Sequence, residues 1–426
     1  MLPKPNMTTP TRAVLAIAAS MLLGIGLAGC TTPTPMPVPT ATPTIVPTPT
    51  GDGVLRIGTL FPTTGATAFL GKAQDAGVEL VVREINEAGG VNGQKVEVFH
   101  RDSGDASTTK AEQSLKALIE KKVDVIIGPS SSVLAERILP TVVDNRIAMI
   151  SPSATGINLT AVADNGYLFR TIPSAGEQGA TLAKAAGAGK KVALVYYSDD
   201  TGKAILDSLT SGLAKDKGTL VASEPFTETS NDADKIVAAL TKAEPDVVIL
   251  ASPFSATAKN KAIILALVKA KLAGSKLWLT SQNLADYSQA LPAGTLKDVN
   301  GILQGFTPDA AFIKRIKAAD PSVTDFRYAA EAYDATVLAA LAAASAGDDS
   351  GEAIARTLRS VSEKGIKCTS FGECVDVLAT QPDIDYDGIS GPLTLDEAGD
   401  SHGSEFGLYR YAATNKFAQV GTVSSR

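Results

Sequence analysis

The sequence predicts an α/β protein of two lobes, each a parallel sheet flanked by helices. Three observations carry that prediction. From Val54 to Thr280, short apolar runs alternate with segments whose apolar residues recur at helical spacing. The alternation runs through one set and restarts at Lys191. The 426 residues suit two or three domains with an ample core.

The elements follow in order. Val54–Leu60 reads as a strand, and Val78, Val81, Val82 and Ile85 stripe a helix that Gly89 and Gly90 stop. Val96–Phe99 is a second strand, and Ala111, Leu115, Leu118 and Ile119 mark a second helix. Val123–Ile127 and Ile147–Ile150 are buried strands. The second set comprises strands Lys191–Tyr197, Thr219–Phe226, Val247–Leu250 and Lys276–Thr280. Helices Gly202–Lys215, Asp232–Ala243 and Ala256–Lys271 lie between them. Ala329–Ala344 is an Ala-rich core helix, and Trp278 sits on an apolar strand as a core residue.

The N-terminus reads as an address. Residues 1–12 are basic through Lys4 and Arg12, and Ala13–Gly29 is uncharged and apolar, as in the hydrophobic stretch of a signal peptide. The run ends Leu27-Ala28-Gly29-Cys30, which resembles a bacterial lipobox and implies cleavage before Cys30 and its lipidation. Residues 31–50 are mostly Thr and Pro; as polyproline II they would reach roughly 60 Å, enough for a semi-rigid tether. Gly24, Gly26 and Gly29 match a dinucleotide fingerprint by letter, but follow no strand.

Composition excludes several functions. Net charge is −6, and about −8 without the basic leader, which disfavours a nucleic-acid partner. His100 and His402 are the two histidines, so a multi-histidine metal site is excluded and His-based catalysis has few candidates. There is no P-loop, nucleophile elbow or HExxH. Instead, Ser, Thr and Gly crowd the loops at 63–71, 128–132, 151–156, 198–202, 252–256 and 281–283. These follow strand carboxyl ends, where α/β sheets bind ligands. Hydroxyls and free N–H groups there hold a carboxylate without reacting with it, although most Ser and Thr at such positions are helix caps.

Several segments together resemble the type I periplasmic binding proteins, in particular the leucine/isoleucine/valine-binding group of ABC-importer receptors. They are IGTLFPTTG (57–65), INEAGGVNG (85–93), VIIGP (125–129) with Ser132, ISPSAT (150–155), Phe169-Arg170-Thr171 and DYDGISGPLTLDEAGD (385–400). The resemblance spans nearly everything from Val54 onward. It implies two Rossmann-like lobes joined by a three-crossover hinge. The expected divisions are a signal peptide (1–29), a lipidated Cys30 with tether (30–53), an N-terminal lobe (54–171 and 306–391) and a C-terminal lobe (172–305 and 392–426). It further implies a non-enzymatic, monomeric receptor on the outer side of a membrane, without metal or cofactor. The receptor delivers an amino acid or related carboxylate or amide to an ABC permease. A signalling receptor of the same fold is the alternative; it would call for a membrane span or output domain, and none is read before Arg426.

The resemblance places Ser132 and Thr155 at the ligand α-carboxylate, with Ala154 in the same loop, and the Ser153 carbonyl at the α-ammonium. Leu70, Ser130, Ser131, Phe254 and Tyr333 fall near the side-chain pocket. Two positions depart from the family. Gln282 stands where members place a glutamate for the ammonium, and Thr201 replaces a tyrosine before Gly202. The ligand is therefore expected to lack an α-amino group, or to have its ammonium met by Asp199, Asp200 or Asp286. Cys368 and Cys374 read as a disulfide in an exported protein. Asp383, Asp385, Asp387 and Gly388 open like an EF-hand loop, but Thr394 replaces its bidentate glutamate, so an ordinary turn is expected.

Overall fold

The two series of strands form two sheets with one repeated order. A computed structural model describes residues 49–65, 68–229, 232–253, 256–305, 308–402 and 405–425. The leader, Cys30 and nearly all of the tether lie outside them. In the first lobe, β1 (Arg56–Phe61), α1 (Ala68–Glu87), β2 (Glu97–Asp102) and α2 (Lys110–Glu120) come first. Then follow β3 (Val125–Ile127), α3 (Ser132–Asp144), β4 (Ala148–Ser151) and β5 (Leu168–Arg170). The five strands lie in the order β2-β1-β3-β4-β5, all parallel.

The second lobe repeats the plan. It runs through α4 (Ala175–Leu182), β6 (Lys191–Tyr197), α5 (Asp200–Lys215), β7 (Thr219–Phe226) and α6 (Ala233–Ala243). β8 (Val247–Ala251), α7 (Thr257–Lys269), β9 (Leu277–Leu279) and β10 (Asn300–Gln304) complete its first pass. The chain then returns to the first lobe as α8 (Ala310–Ala319), α9 (Ala329–Ala346), α10 (Gly351–Thr357), β11 (Ile366–Cys368) and α11 (Phe371–Leu378). Short strands β12 (Ile384–Gly388), β13 (Gly391–Pro392), β14 (Thr394–Leu395) and β15 (Ser401–His402) follow. Finally β16 (Glu405–Tyr411) and β17 (Phe417–Ser424) add an antiparallel edge, giving the order β17-β16-β10-β9-β8-β6-β7.

Burial explains these choices. β3 (VII) and β8 (VVILA) are buried at every residue, as strands covered on both faces must be. Helix α9 is buried continuously from Ala329 to Ala343 and shows no polar face. It packs tightly on α1, because a Cβ at Gly77 would come within 2.4 Å of the Ala329 carbonyl. That approach also fixes Tyr333. Its ring packs on Phe312, and its hydroxyl donates to Glu84 at 2.6 Å. Tyr333 therefore belongs to the first-lobe core rather than to a ligand pocket.

The third crossover lies later than expected. Leu393 and Leu395 are buried in the first-lobe core, and the Arg170 N–H donates to the Gly399 carbonyl. Residues 393–402 thus remain with the first lobe, and Glu405 opens the last strands of the second. The cysteines form a disulfide between β11 and α11, with Cα atoms 5.2 Å apart. Closing so short a loop stabilises by about 2 kcal/mol on the chain-entropy model. Urea denaturation with and without reductant should show that difference. Beside it, Lys367 binds Asp385 and Asp387 at 2.9 and 2.8 Å, so these acids make salt bridges within a strand pair. Among the described residues no His, Cys, Asp and Glu cluster is arranged to hold a metal ion, and no helix is long and apolar enough to cross a membrane.

Both histidines sit between carboxylates. His402 lies 2.9 Å from Glu177 and 2.7 Å from Asp396, and its pKa rises to about 9, chiefly through the Glu177 hydrogen bond. Burial lowers the pKa of His100, but hydrogen bonds to Asp75 and Glu79 outweigh it and raise the value to about 9. A folded-state pKa raised above the unfolded value of 6.5 contributes stability that is complete below pH 6.5. That contribution fades as pH rises through about 9. The melting temperature should therefore fall between pH 6.5 and 9, and His402→Gln should flatten part of that fall.

Candidate functional site

The repeated strand order dictates where a ligand can sit. A crevice opens beyond the carboxyl ends of adjacent strands whose connections run to opposite faces. In the first lobe this point lies between β1 and β3, and in the second between β6 and β8. The two sets of strand ends meet: Asn158, after β4, donates to Asp200 at the start of α5 across 3.4 Å.

In the first lobe two hydroxyl-bearing loops are joined together. The Ser151 hydroxyl donates to the Pro129 carbonyl at 2.6 Å and accepts from the Ala154 N–H at 3.0 Å. The Ser132 hydroxyl accepts from the Gly156 N–H at 2.8 Å. Ser131 is the N-cap residue of α3, but its side chain makes no capping bond. The first-turn N–H groups of that helix thus lack their usual side-chain acceptor, a setting that favours an anion. Thr155 is half-buried, and its hydroxyl has no partner among the described residues. Its carbonyl accepts from the Ala175 N–H at 2.8 Å, which ties the loop to the start of α4.

Other expected contacts are turned inward. Ser153 and Ser130 both donate to the Oε1 of buried Gln74, at 3.0 and 3.1 Å. Ala154 is fully buried, with its N–H held by Ser151 and its carbonyl by Arg170. It therefore shapes the loop and offers a ligand nothing directly. Leu70 is half-buried on the first turn of α1, where its carbonyl accepts from Gln74 Nε2 at 3.1 Å.

The second lobe gathers Thr201 and Gln282 into one cavity of about 80 Å³, with Asp199, Gly202, Ser252 and Pro253. Gly202 allows this turn, since a Cβ there would lie 2.0 Å from the Tyr197 carbonyl. Asp199 caps α5, accepting from the Gly202 N–H at 2.7 Å. Asp286 is exposed, accepting from the Ser288 N–H at 2.8 Å and facing Lys416 at 3.7 Å. It lies apart from the lining of this cavity. Phe254 falls outside the described residues. A larger groove of about 490 Å³ runs along Leu303, Tyr409, Phe417 and the 324–328 loop, and includes none of these residues.

Two further groups have partners that sequence patterns do not announce. Buried Arg170 binds Asp400 at 2.7 Å and the carbonyls of Ala154 and Gly156 at 3.2 and 2.8 Å. It thereby fastens the third crossover to the hydroxyl loop. Gln178, Ser281, Gln282 and Gln304 form an amide network where the first two crossovers meet the second lobe.

The fold is a two-lobed α/β architecture with hydroxyls, amides and helix starts gathered at the strand ends. A model of the periplasmic binding protein family matches residues 54–378, and the chain belongs to that family, with the type I architecture. It is 26% identical to the Leu/Ile/Val-binding protein of Escherichia coli K12 over 379 residues, covering 84% of this chain and 91% of that protein. It is also 26% identical to the chemotactic signal transduction system substrate-binding protein BasB of Halobacterium salinarum, covering 80% of this chain and 83% of that one. A solute-binding protein of an ABC transporter from R. palustris, solved with benzoate, shares the fold. The TM-score there is 0.56 at 21% identity, covering 87% of this chain and 97% of that one.

Proposed function

We propose that this chain is a lipid-anchored, extracytoplasmic receptor that captures a small carboxylate-bearing solute between its lobes and presents it to an ABC permease. The observation that carries the reading is the pair of facing strand-end crevices. One bears Ser132, Thr155 and the uncapped start of α3; the other bears Thr201 and Gln282. Hydroxyl and N–H donors grip a carboxylate strongly because one partner is charged. Contacts made to both lobes at once favour the closed state, and closure creates the surface a permease reads. The related proteins named for branched-chain amino acids and solved with benzoate both fit a carboxylate ligand.

Anchoring rests on Cys30 and the Thr/Pro segment. The end of that segment is fastened to the fold, because Asp348 accepts from the N–H groups of Thr50 and Gly51, each at 3.0 Å. Labelled palmitate should enter the full chain and be absent from Cys30→Ala. Calorimetry of the detergent-solubilised chain against amino acids, 2-oxo acids and aromatic carboxylates tests the ligand class; a silent panel would overturn it. The similarity to BasB supports a second reading, in which the liganded protein reports to a sensor. Uptake of labelled ligand, lost when this chain is deleted, separates transport from sensing.

A further inference from the structure

We infer that the second lobe meets its ligand with a hydrogen-bond donor, the amide NH2 of Gln282. The site therefore selects a carboxylate bearing an oxygen acceptor, such as a 2-oxo or 2-hydroxy acid, over one bearing an α-ammonium. The inference rests on the reading that the cleft holds a carboxylate, and adds which neighbour that carboxylate carries.

Two backbone groups set the polarity of the amide network. The Ser281 N–H can only donate, and it donates to Gln178 Oε1 at 2.8 Å. The Gln178 NH2 must then point the other way, where its two hydrogens are shared among Ser281 Oγ (3.0 Å), Gln304 Oε1 (3.1 Å) and Gln282 Oε1 (3.3 Å). The Pro173 carbonyl can only accept, and it holds Gln304 Nε2 at 2.8 Å. Gln304 must therefore turn its oxygen towards Gln178 and towards the Ser281 hydroxyl, which donates to it at 2.8 Å. Gln178 and Gln304 are buried, so water does not relax these orientations. Gln282 turns its oxygen towards that donor, since an NH2 there would face an NH2, and its own NH2 has no partner among the described residues. Because Gln282 lines the cavity beside Thr201, that NH2 is the group left for a ligand.

The nearby acids each make a contact of their own. Asp199 caps α5, Asp200 accepts from Asn158, and Asp286 pairs with Ser288 and Lys416. The undescribed residues of the neighbouring loops are Phe254, Ser255, Phe306 and Thr307, none of them acidic. At Gln282 an ammonium would thus face a donor where it needs an acceptor, and the second oxygen of Asp199 is the one acidic acceptor left among the described residues lining that cavity. Gln178 is a positioning residue in this scheme, acting on the ligand through Gln282.

The test compares leucine with its 2-oxo analogue, 4-methyl-2-oxopentanoate, by calorimetry on the full chain. The oxo acid should bind more tightly by about tenfold, the difference a charged group makes when its partner has the wrong polarity. Gln282→Glu should reverse that order. Gln178→Leu, which frees the Gln282 amide to turn, should bring the ratio towards one, a change that simple loosening of the fold would not produce. Leucine binding as tightly as the oxo acid would overturn the inference while leaving the carboxylate reading intact. Loss of that leucine binding in Asp199→Asn would identify the acid responsible. Binding of neither compound would overturn the inference, and the carboxylate reading falls with it when aromatic carboxylates are silent too.

Discussion

Replacing Asp400 by alanine is expected to destabilise the protein by about 3–5 kcal/mol, as removing one partner of a buried ion pair does. Arg170 is fully buried, and the Asp400 side chain is 5% exposed. The guanidinium spends its remaining protons on the Ala154 and Gly156 carbonyls and on the Thr160 hydroxyl. Thr160 in turn donates to Asp400 at 2.7 Å. Removing the carboxylate leaves a buried cation and an unpaired hydroxyl. Removing both charges, as in Arg170→Met with Asp400→Leu, should cost much less, because the desolvation of both ions also disappears. Urea denaturation of the two single variants and the double variant measures this coupling. The singles should also bind ligand more weakly, since Arg170 positions the loop that presents Thr155.

Ser132→Ala carries the largest expected loss of binding among the cleft variants. A hydrogen bond to a charged group contributes about 1.5–3 kcal/mol, so the carboxylate ligand should bind roughly 10- to 100-fold more weakly. The effect has a second source. Ser132 accepts from the Gly156 N–H at 2.8 Å, and its loss frees the turn between the hydroxyl loop and α4. Ser132→Thr keeps the hydroxyl and should retain most of the affinity. Calorimetry with 4-methyl-2-oxopentanoate checks both, and unchanged affinity in Ser132→Ala would remove the α3 start from the site.

Much of the fold is legible because buried parallel strands are continuous apolar runs. Lys191–Tyr197 and Thr219–Phe226 end where the sequence places them. Hydroxyl-rich loops mark the strand ends, and the family resemblance singles out Ser132, Thr155 and Thr201 within them. Helix α3 has no clear sequence signature because Pro140 interrupts its stripe, although that residue lies within the helix. Tyr333 differs for another reason: α9 is buried on every side, so periodicity does not say which neighbour a residue faces. The Gly-Pro turn at 391–392 looks like a lobe boundary, yet Leu393 and Leu395 beyond it bury in the first lobe. The amide network was illegible for a geometric reason. Gln178 and Gln304 are 126 positions apart, and no local pattern announces residues that only the crossovers bring together.

In the proposed function a small carboxylate sits between the lobes and touches both. A crystal structure of the protein grown with 4-methyl-2-oxopentanoate tests it most directly. The expected result is the carboxylate at Ser132 and Thr155, with its 2-oxo oxygen at the Gln282 amide. A ligand bound wholly within one lobe, or in the groove beside Tyr409 and Phe417, would contradict it.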